Sequence, residues 1–182
     1  MFESDRLYLR LFEEKDAETL LALELKNRDY FSLYSGTRKD DFYTIDAIQK
    51  KIQEYIKQAT EDKSYQFGIY EKGNNELIGK ISLNSVQRHV LQNCVLGYML
   101  DKEQNGKGYM SEAIKLIVSY AFEKLELHRI GAGVMPHNGA SMRVLEKAGF
   151  HKEGLARKNV NINGRWEDHE MFAIINPAHD VG

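Results

Sequence analysis

Residues 105–113 constrain this chain more than any other stretch, because they join an apolar run to an amphipathic segment through two glycines. The run at 95–100 predicts a strand, and 113–125 predicts a helix. The first turn of such a helix has backbone N–H groups without intrahelical partners, at the positive end of the helix dipole. Gly106 and Gly108 let the chain turn tightly. The junction is therefore a candidate site for a phosphate or pyrophosphate group.

The glycine spacing excludes two common phosphate-binding motifs. A Walker loop has four residues between its glycines, followed by Lys and then Ser or Thr, whereas a single residue separates Gly106 from Gly108. A dinucleotide fingerprint needs a third glycine three residues after the second, and Ser111 occupies that position. A Gly-Lys-Gly turn can also be purely structural, so a second sequence element has to decide between these interpretations.

A second strand and helix follow further along the chain. Residues 128–135 predict a strand, and Asn138 is a favourable N-cap for the helix after it. Gly149 is the residue type that commonly follows the last turn of a helix. Between these two positions lies an apolar stripe at helical spacing, made by Ala140, Val144, Leu145 and Ala148.

Four ordered segments together resemble a known family. They are residues 4–10, 105–113, 138–150 and 163–168, the last followed by an apolar strand. In this order they are similar to the GNAT superfamily of acetyl-CoA-dependent N-acetyltransferases, and within it to the RimJ/RimL-like ribosomal-protein N-terminal acetyltransferases. The resemblance covers nearly the whole chain. It implies transfer of acetyl from acetyl-CoA to a primary amine, with the N-terminal α-amine of a protein, of the ribosomal-protein type, as the favoured acceptor.

Length and composition limit the other function classes. With 182 residues the chain is expected to form a single domain, 1–182. Its net charge of −2 gives no reason to expect a nucleic-acid partner, and its single cysteine suits a reducing compartment. It shows neither a secretory signal nor an apolar run of the roughly 20 residues that span a bilayer. We therefore expect a cytoplasmic protein without a membrane partner. A homodimer is taken as the first expectation for its assembly.

The pattern of apolar residues predicts an α/β fold. The expected order is β-α-α-β-β-β-α-β-α-β-β, which gives a mixed, mostly antiparallel central sheet with helices on both faces. The strands that flank the glycine-containing junction and its helix should run parallel, because a helical crossover joins them. Strands are expected at residues 6–11, 64–70, 76–84, 93–100, 128–135, 150–160 and 165–175, helices at 17–25, 45–59, 113–125 and 138–148, and a polar, aromatic loop at 29–41.

The resemblance also assigns a cofactor site. In the family the two parallel strands splay apart and the pantetheine arm of acetyl-CoA lies in the gap, where Met99 and Leu100 would supply a strand edge. Lys107 either adds its charge to the pyrophosphate site or is a solvated loop lysine. Asn105 and Met110 depart from the usual superfamily pattern, but backbone donors would carry the contact. The pyrophosphate would bind what we call the phosphate loop, namely Asn105, Gly106, Lys107, Gly108, Tyr109, Met110 and Ser111.

Two polar residues at the start of the predicted helix 138–148 have both a functional and a structural interpretation. Asn138 either binds the pantetheine arm or only caps the helix. Ser141 stands where RimL-like enzymes have a serine that is proposed to protonate the departing thiolate as a general acid. Alternatively, its hydroxyl only contacts backbone in the first helical turn.

The sequence does not identify the general base. Val95 and Val160 stand at two positions where related enzymes carry a glutamate. His137 is named as the candidate base, and the other candidates are Tyr98, Glu167, Asp168 and Glu170. The acceptor groove is a further open question, because several aromatic residues could either line it or cover the core: Tyr30, Phe31, Tyr34, Phe42 and Tyr43.

A missing base matters less for one class of acceptor. An α-amine has a pKa near 7.7–8.0, whereas a lysine-like amine near 10.4 is roughly 3.4 kcal/mol harder to deprotonate at neutral pH. This favours a protein N-terminus over a small amine such as a polyamine or a drug, which is the first alternative. A narrow acidic pocket would favour the small amine, and an open groove a peptide. A non-catalytic CoA-binding sensor or interaction module is the second alternative. No metal is expected, since the six histidines show no ligand spacing.

Overall fold

The computed structural model describes residues 1–180 and contains one central sheet. Eight strands follow the order β1-β2-β3-β4-β5-β6-β8-β7, and every neighbouring pair is antiparallel except β5 and β6. The strands are β1 Phe2–Glu3, β2 Leu7–Leu11, β3 Tyr65–Glu71, β4 Glu76–Gln87, β5 Asn93–Leu100, β6 Arg129–Val134, β7 His151–Ile162 and β8 Arg165–Ile175. The helices of the described residues are α1 Ala17–Lys26, α2 Arg28–Ser35, α3 Ile45–Thr60, α4 Tyr109–Glu123 and α5 Gly139–Lys147.

Both faces of the sheet are covered by helices, because the strands present apolar side chains on each side. One core layer contains residues of α4 and α5, such as Ile114 and Leu145, packed against strand residues such as Phe67. The other contains residues of α1, α2 and α3, such as Leu20 and Ile52. This arrangement confirms the predicted α/β fold with a mostly antiparallel sheet and helices on both faces.

The parallel strands β5 and β6 pair over only part of their length. Their register runs from Asn93 opposite Arg129 to Val95 opposite Gly131, and then stops. Residues 96–100 of β5 still pair with β4, and residues 132–134 of β6 still pair with β8. The sheet therefore opens between its two parallel strands at their C-terminal ends, as the family resemblance predicted.

The prediction of a loop at 29–41 was wrong for its first part, where the structure has helix α2. The polar and aromatic composition suggested a loop, but the hydroxyls of Ser32 and Ser35 each donate to the carbonyl four residues earlier, at 2.6 Å and 2.9 Å, within a helix. Phe31 fixes the helix by packing into the core, where it is 4% exposed. The two-residue strand β1 and the last residues of β4 were not predicted from the sequence. Within the part of the chain that the structure describes, no helix is long and apolar enough to cross a membrane.

Candidate active site

A cavity of about 740 Å³ lies where β5 and β6 part. Its volume falls within the range of small-molecule and cofactor sites. The cavity extends to both sides of the sheet, because its lining includes the start of α4 and the face of α5 on one side and residues of α2 and α3 on the other. A ligand lying in the gap between the strands can therefore be approached from the opposite face.

The phosphate loop forms an open helix N-terminus at one end of this cavity. Gly106 and Gly108 adopt φ values of 80° and 81°, a left-handed conformation that glycine adopts without steric cost. Gly108 is the N-cap of α4, and it supplies no side-chain cap; the backbone bond from Glu112 N–H to Gly108 C=O measures 3.2 Å. Space is also open around Gly106, where an added Cβ would meet no atom within 4 Å. The amides of the first turn are thus available to an anion.

Arg6, immediately before β2, holds the phosphate loop in place. Its guanidinium donates to the Lys107 carbonyl at 2.9 Å and pairs with Glu112 at 2.7 Å. It also lies over the Tyr109 ring, 4.6 Å from the centroid. Burial acts to raise the pKa of Glu112, but hydrogen bonds from Ser4 and Arg6 lower it below its usual value. The carboxylate is therefore ionised at neutral pH and stays bound to Arg6. Sequence reasoning used Arg6 only as part of a motif and missed this role.

The other side of the loop is held by the junction of α1 and α2. Buried Asp101 accepts from Lys26 at 2.7 Å, and the Lys102 N–H donates to Asn27 Oδ1 at 2.9 Å. Asn105 Nδ2 donates to the Tyr30 hydroxyl at 2.9 Å. The helices on one face therefore position the anion site that α4 forms on the other.

At the start of α5 the structure joins two polar residues to β5. Asn138 caps the helix, since its Oδ1 accepts from the Ser141 N–H at 3.2 Å, and its Nδ2 remains free for another partner. The Ser141 hydroxyl shares a hydrogen bond of 2.5 Å with the Tyr98 hydroxyl. Burial raises the pKa of Tyr98 to about 12, with the Ser141 bond acting in the opposite direction. Tyr98 is therefore protonated at neutral pH and suits proton donation better than the role of base.

Most of the predicted cofactor residues line the cavity, and two of the predicted site residues do not. Lys107 is exposed, and its ammonium donates to Gln104 Oε1 at 2.9 Å. His137 is exposed at the end of the β6–α5 turn and is absent from the lining, so its assignment as base stays a prediction without a contact to support it. The residues that line the cavity as expected are Met99, Leu100, Asn105, Gly106, Gly108, Tyr109, Met110, Ser111, Asn138 and Ser141.

The closing strand β8 contributes a histidine that sequence reasoning missed. The candidates Glu167, Asp168 and Glu170 do not line the cavity, and Asp168 instead accepts from the Lys158 N–H at 2.8 Å. His169 does line it and is only 8% exposed. Its Nδ1 lies 3.2 Å from the Glu167 carbonyl, which can only accept, so in the neutral imidazole Nδ1 carries the proton and Nε2 is the acceptor atom.

Residues 6–151 match the family model described as the acetyltransferase (GNAT) domain. The chain belongs to this family. It is 53% identical over 177 residues to the Bacillus subtilis protein named "Probable N-acetyltransferase YjcK", an alignment that covers 97% of this chain and 98% of the relative. Both the family and this relative identify it as an N-acetyltransferase, which leaves the non-catalytic alternative without support.

The RimJ/RimL-like identification is also confirmed. The GNAT chain is 32% identical over 182 residues to the Escherichia coli [Ribosomal protein uS5]-alanine N-acetyltransferase, covering 98% of this chain and 92% of that enzyme. The crystal structure of the ribosomal-protein-S5-alanine acetyltransferase from Vibrio fischeri superposes with a TM-score of 0.91 at 31% identity, covering 97% of this chain and 96% of the other.

The charged side chains that line this N-acetyltransferase cavity are cationic. Its lining contains five cationic side chains, and no Asp or Glu of residues 1–180 belongs to it. Of the aromatic residues considered for the acceptor groove, Tyr30 and Tyr34 line the cavity and Phe31 is in the core. The cationic side chains are Arg38, Lys51 and Lys80 at the end near α2 and α3, and Arg143 and Lys147 on α5.

Proposed function

We propose that this chain transfers acetyl from acetyl-CoA to the N-terminal α-amine of a protein, of the ribosomal-protein type, by direct attack of the amine. The observation that carries the proposal is a single cavity with the uncapped start of α4 at one point and the Tyr98–Ser141 pair at another. The uS5-alanine acetyltransferases among the similar proteins support the choice of acceptor. The expected homodimer and cytoplasmic location stay predictions.

The cavity offers acetyl-CoA the contacts that its chemistry needs. The amides of residues 108–111 and the α4 dipole suit the pyrophosphate. The edge of β5 beyond Val95 leaves backbone groups for the amides of the pantetheine arm, and Met99 and Leu100 lie on this segment. Asn138 Nδ2 is a further donor beside it. Bound there, acetyl-CoA supplies the thioester whose carbonyl carbon the amine attacks.

The residues that line the cavity can move the protons of this reaction. As the new C–N bond forms and the C–S bond breaks, His169 Nε2 accepts the proton that the attacking amine loses. The Ser141 hydroxyl donates to the departing sulfur, and the Tyr98 hydroxyl supports it through their shared hydrogen bond. Proton exchange with water then removes the proton from His169 and returns one to the Ser141 hydroxyl. In sum, one amine and one thioester give one amide and one thiol.

The charge of the cavity favours a peptide over a polyamine. A polyamine is a multiple cation, and no acidic side chain of residues 1–180 lines the cavity to attract one, whereas five cationic side chains do, of which only Lys80 is paired with a buried carboxylate, that of Glu24. An α-amine also reaches its neutral, nucleophilic form at neutral pH far more readily than an alkylamine does. Both arguments point to a protein N-terminus.

Release of CoA thiol tests the proposal directly. Purified protein with acetyl-CoA is offered N-terminal peptides, including the N-terminus of ribosomal protein uS5, and in parallel a panel of polyamines and aminoglycosides. We expect thiol release with peptides, and mass spectrometry should place the added acetyl on the α-amine. Turnover confined to polyamines or drugs would replace the proposed acceptor with the small-amine alternative.

A further inference from the structure

Two cations in the cavity have no acidic partner. Arg38 and Lys51 are both half-buried, and neither forms an ion pair with any carboxylate of residues 1–180. The Arg38 guanidinium and the Lys51 ammonium lie 4.6 Å and 5.1 Å from the centroid of the same ring, that of Phe42. The two cationic groups therefore lie no further apart than these two distances combined, and both line the same cavity, so both attract an anionic group that enters it.

Lys80 differs from these two because a carboxylate already neutralises it. Its ammonium donates to Glu24, whose side chain is 5% exposed. The pKa of Lys51 is lowered by burial, and further by the charges of Arg38 and Lys80, while the charge of Glu24 acts in the opposite direction. The protein thus holds two partly desolvated like charges near each other, neither with an ion-pair partner among residues 1–180, an arrangement that an incoming anion would stabilise.

The position of this pair separates it from the proposed site for the donor's phosphates. Residues of α3 beside Lys51, such as Ile48 and Ile52, pack on the sheet face opposite the α4 and α5 layer. The start of α4, with Arg143 and Lys147 on α5, already offers positive potential where the phosphates are expected. The Arg38 and Lys51 end is left for the acceptor.

We infer that Arg38 and Lys51 bind a carboxylate of the acceptor, carried by an Asp or Glu side chain among the residues that follow the acetylated N-terminus. This inference rests on the proposed function, because it assumes a peptide acceptor with its α-amine near Tyr98 and Ser141. The remaining residues at this end suit an extended peptide, since Tyr34, Tyr55 and Gln66 offer hydroxyl, amide and ring surfaces to its backbone. A charge-assisted contact then selects the sequence of the acceptor.

Peptides that differ in a single charge test the inference. Three otherwise identical peptide sets carry Glu, Gln or Lys at position two, three or four, and kcat/KM is measured for each by thiol release. At the position that reaches the pair, we expect the Glu peptide to exceed the Gln peptide by about tenfold, and the Lys peptide to be the poorest. This preference should shrink as ionic strength rises.

Variants of Arg38 and Lys51 test whether these two residues cause the preference for the Glu peptide. Lys51→Gln and Arg38→Gln should reduce the Glu-to-Gln ratio toward one, whereas Lys51→Arg should retain it. Lys50→Gln and Lys39→Gln are matched controls, since each removes an exposed neighbouring charge that does not line the cavity. If a glutamine variant does not fold, the inference is still tested by the Glu-to-Gln ratio of kcat/KM in the wild type and in Lys51→Arg.

Two results would overturn the inference in distinguishable ways. Equal turnover of Glu, Gln and Lys peptides at every position, or a preference unchanged in both glutamine variants, removes the anion site and leaves the proposed function intact. Turnover of small amines with no peptide accepted removes the proposed function and the inference together.

Discussion

The hydroxyl oxygens of Tyr98 and Ser141 lie 2.5 Å apart, which joins strand β5 to the first turn of α5 inside the cavity. The two residues are far apart in the sequence, and each alone has an ordinary structural interpretation. Their contact gives the site a pair of hydroxyl groups beside the gap between β5 and β6. This contact supports the interpretation that Ser141 donates a proton together with Tyr98.

Removal of either hydroxyl should lower turnover more than it lowers acetyl-CoA affinity. If the pair donates to the departing sulfur, Ser141→Ala and Tyr98→Phe should each reduce kcat by roughly 100-fold, and the double variant should lose little more than either single one. Stopped-flow or steady-state thiol release measures kcat, and calorimetry measures the dissociation constant. Unchanged kcat in Ser141→Ala would leave the serine with a role in the helix cap alone.

Substitution of Gly108 should abolish tight binding of acetyl-CoA. Gly108→Asp forces a side chain into a φ of 81°, with its Cβ 3.3 Å from Arg6 Nη2, and places a negative charge at the α4 N-terminus. We expect affinity to fall by about 100-fold or more. Gly73→Asp is the matched control, because an added Cβ there meets nothing within 4 Å. Equal affinities of the two variants in calorimetry would argue against the pyrophosphate assignment.

The two histidine assignments make opposite predictions. If His169 Nε2 takes the proton of the amine, His169→Asn should lower kcat by about 100-fold, while His137→Asn changes little. If His137 is the base, the result is reversed. Measurement of kcat from pH 6 to 9 for both variants, with acetyl-CoA affinity as a check on folding, decides between them.

The Arg6–Glu112 contact should make stability depend on pH. The folded-state pKa of Glu112 lies below the usual value of 4.5, so its contribution is complete at neutral pH and is lost as the pH falls below that value. Glu112→Gln should be less stable than the wild type at pH 7 by about 1 kcal/mol, and this difference should shrink as the pH falls below 4.5. Urea unfolding at several pH values measures it. A constant difference across that range would show that the charge is not responsible.

Much of the fold followed from local patterns along the chain. The two glycines predicted a tight turn before α4, where the structure gives both of them left-handed φ values, and the Asn138 cap was predicted from one residue type. The parallel pairing of β5 and β6 followed from their helical crossover, and it is confirmed. These features depend on neighbours in the sequence, so the sequence contains the information that predicts them.

Contacts between distant segments decided the rest of the candidate site. Helix α2 was predicted as a loop because residues 29–41 are polar and aromatic. In the structure its serine hydroxyls bond to helical carbonyls and Phe31 packs in the core, and that core contact is not visible in the local sequence. His169 had no motif to mark it, and only the pairing of β8 beside β6 brings it to the cavity. That Arg38 and Lys51 have no ion-pair partner among residues 1–180 also becomes visible only in three dimensions, since pairing depends on the distance between side chains. Local sequence thus determined the elements and the anion-binding turn, whereas tertiary packing decided which polar groups meet around the gap.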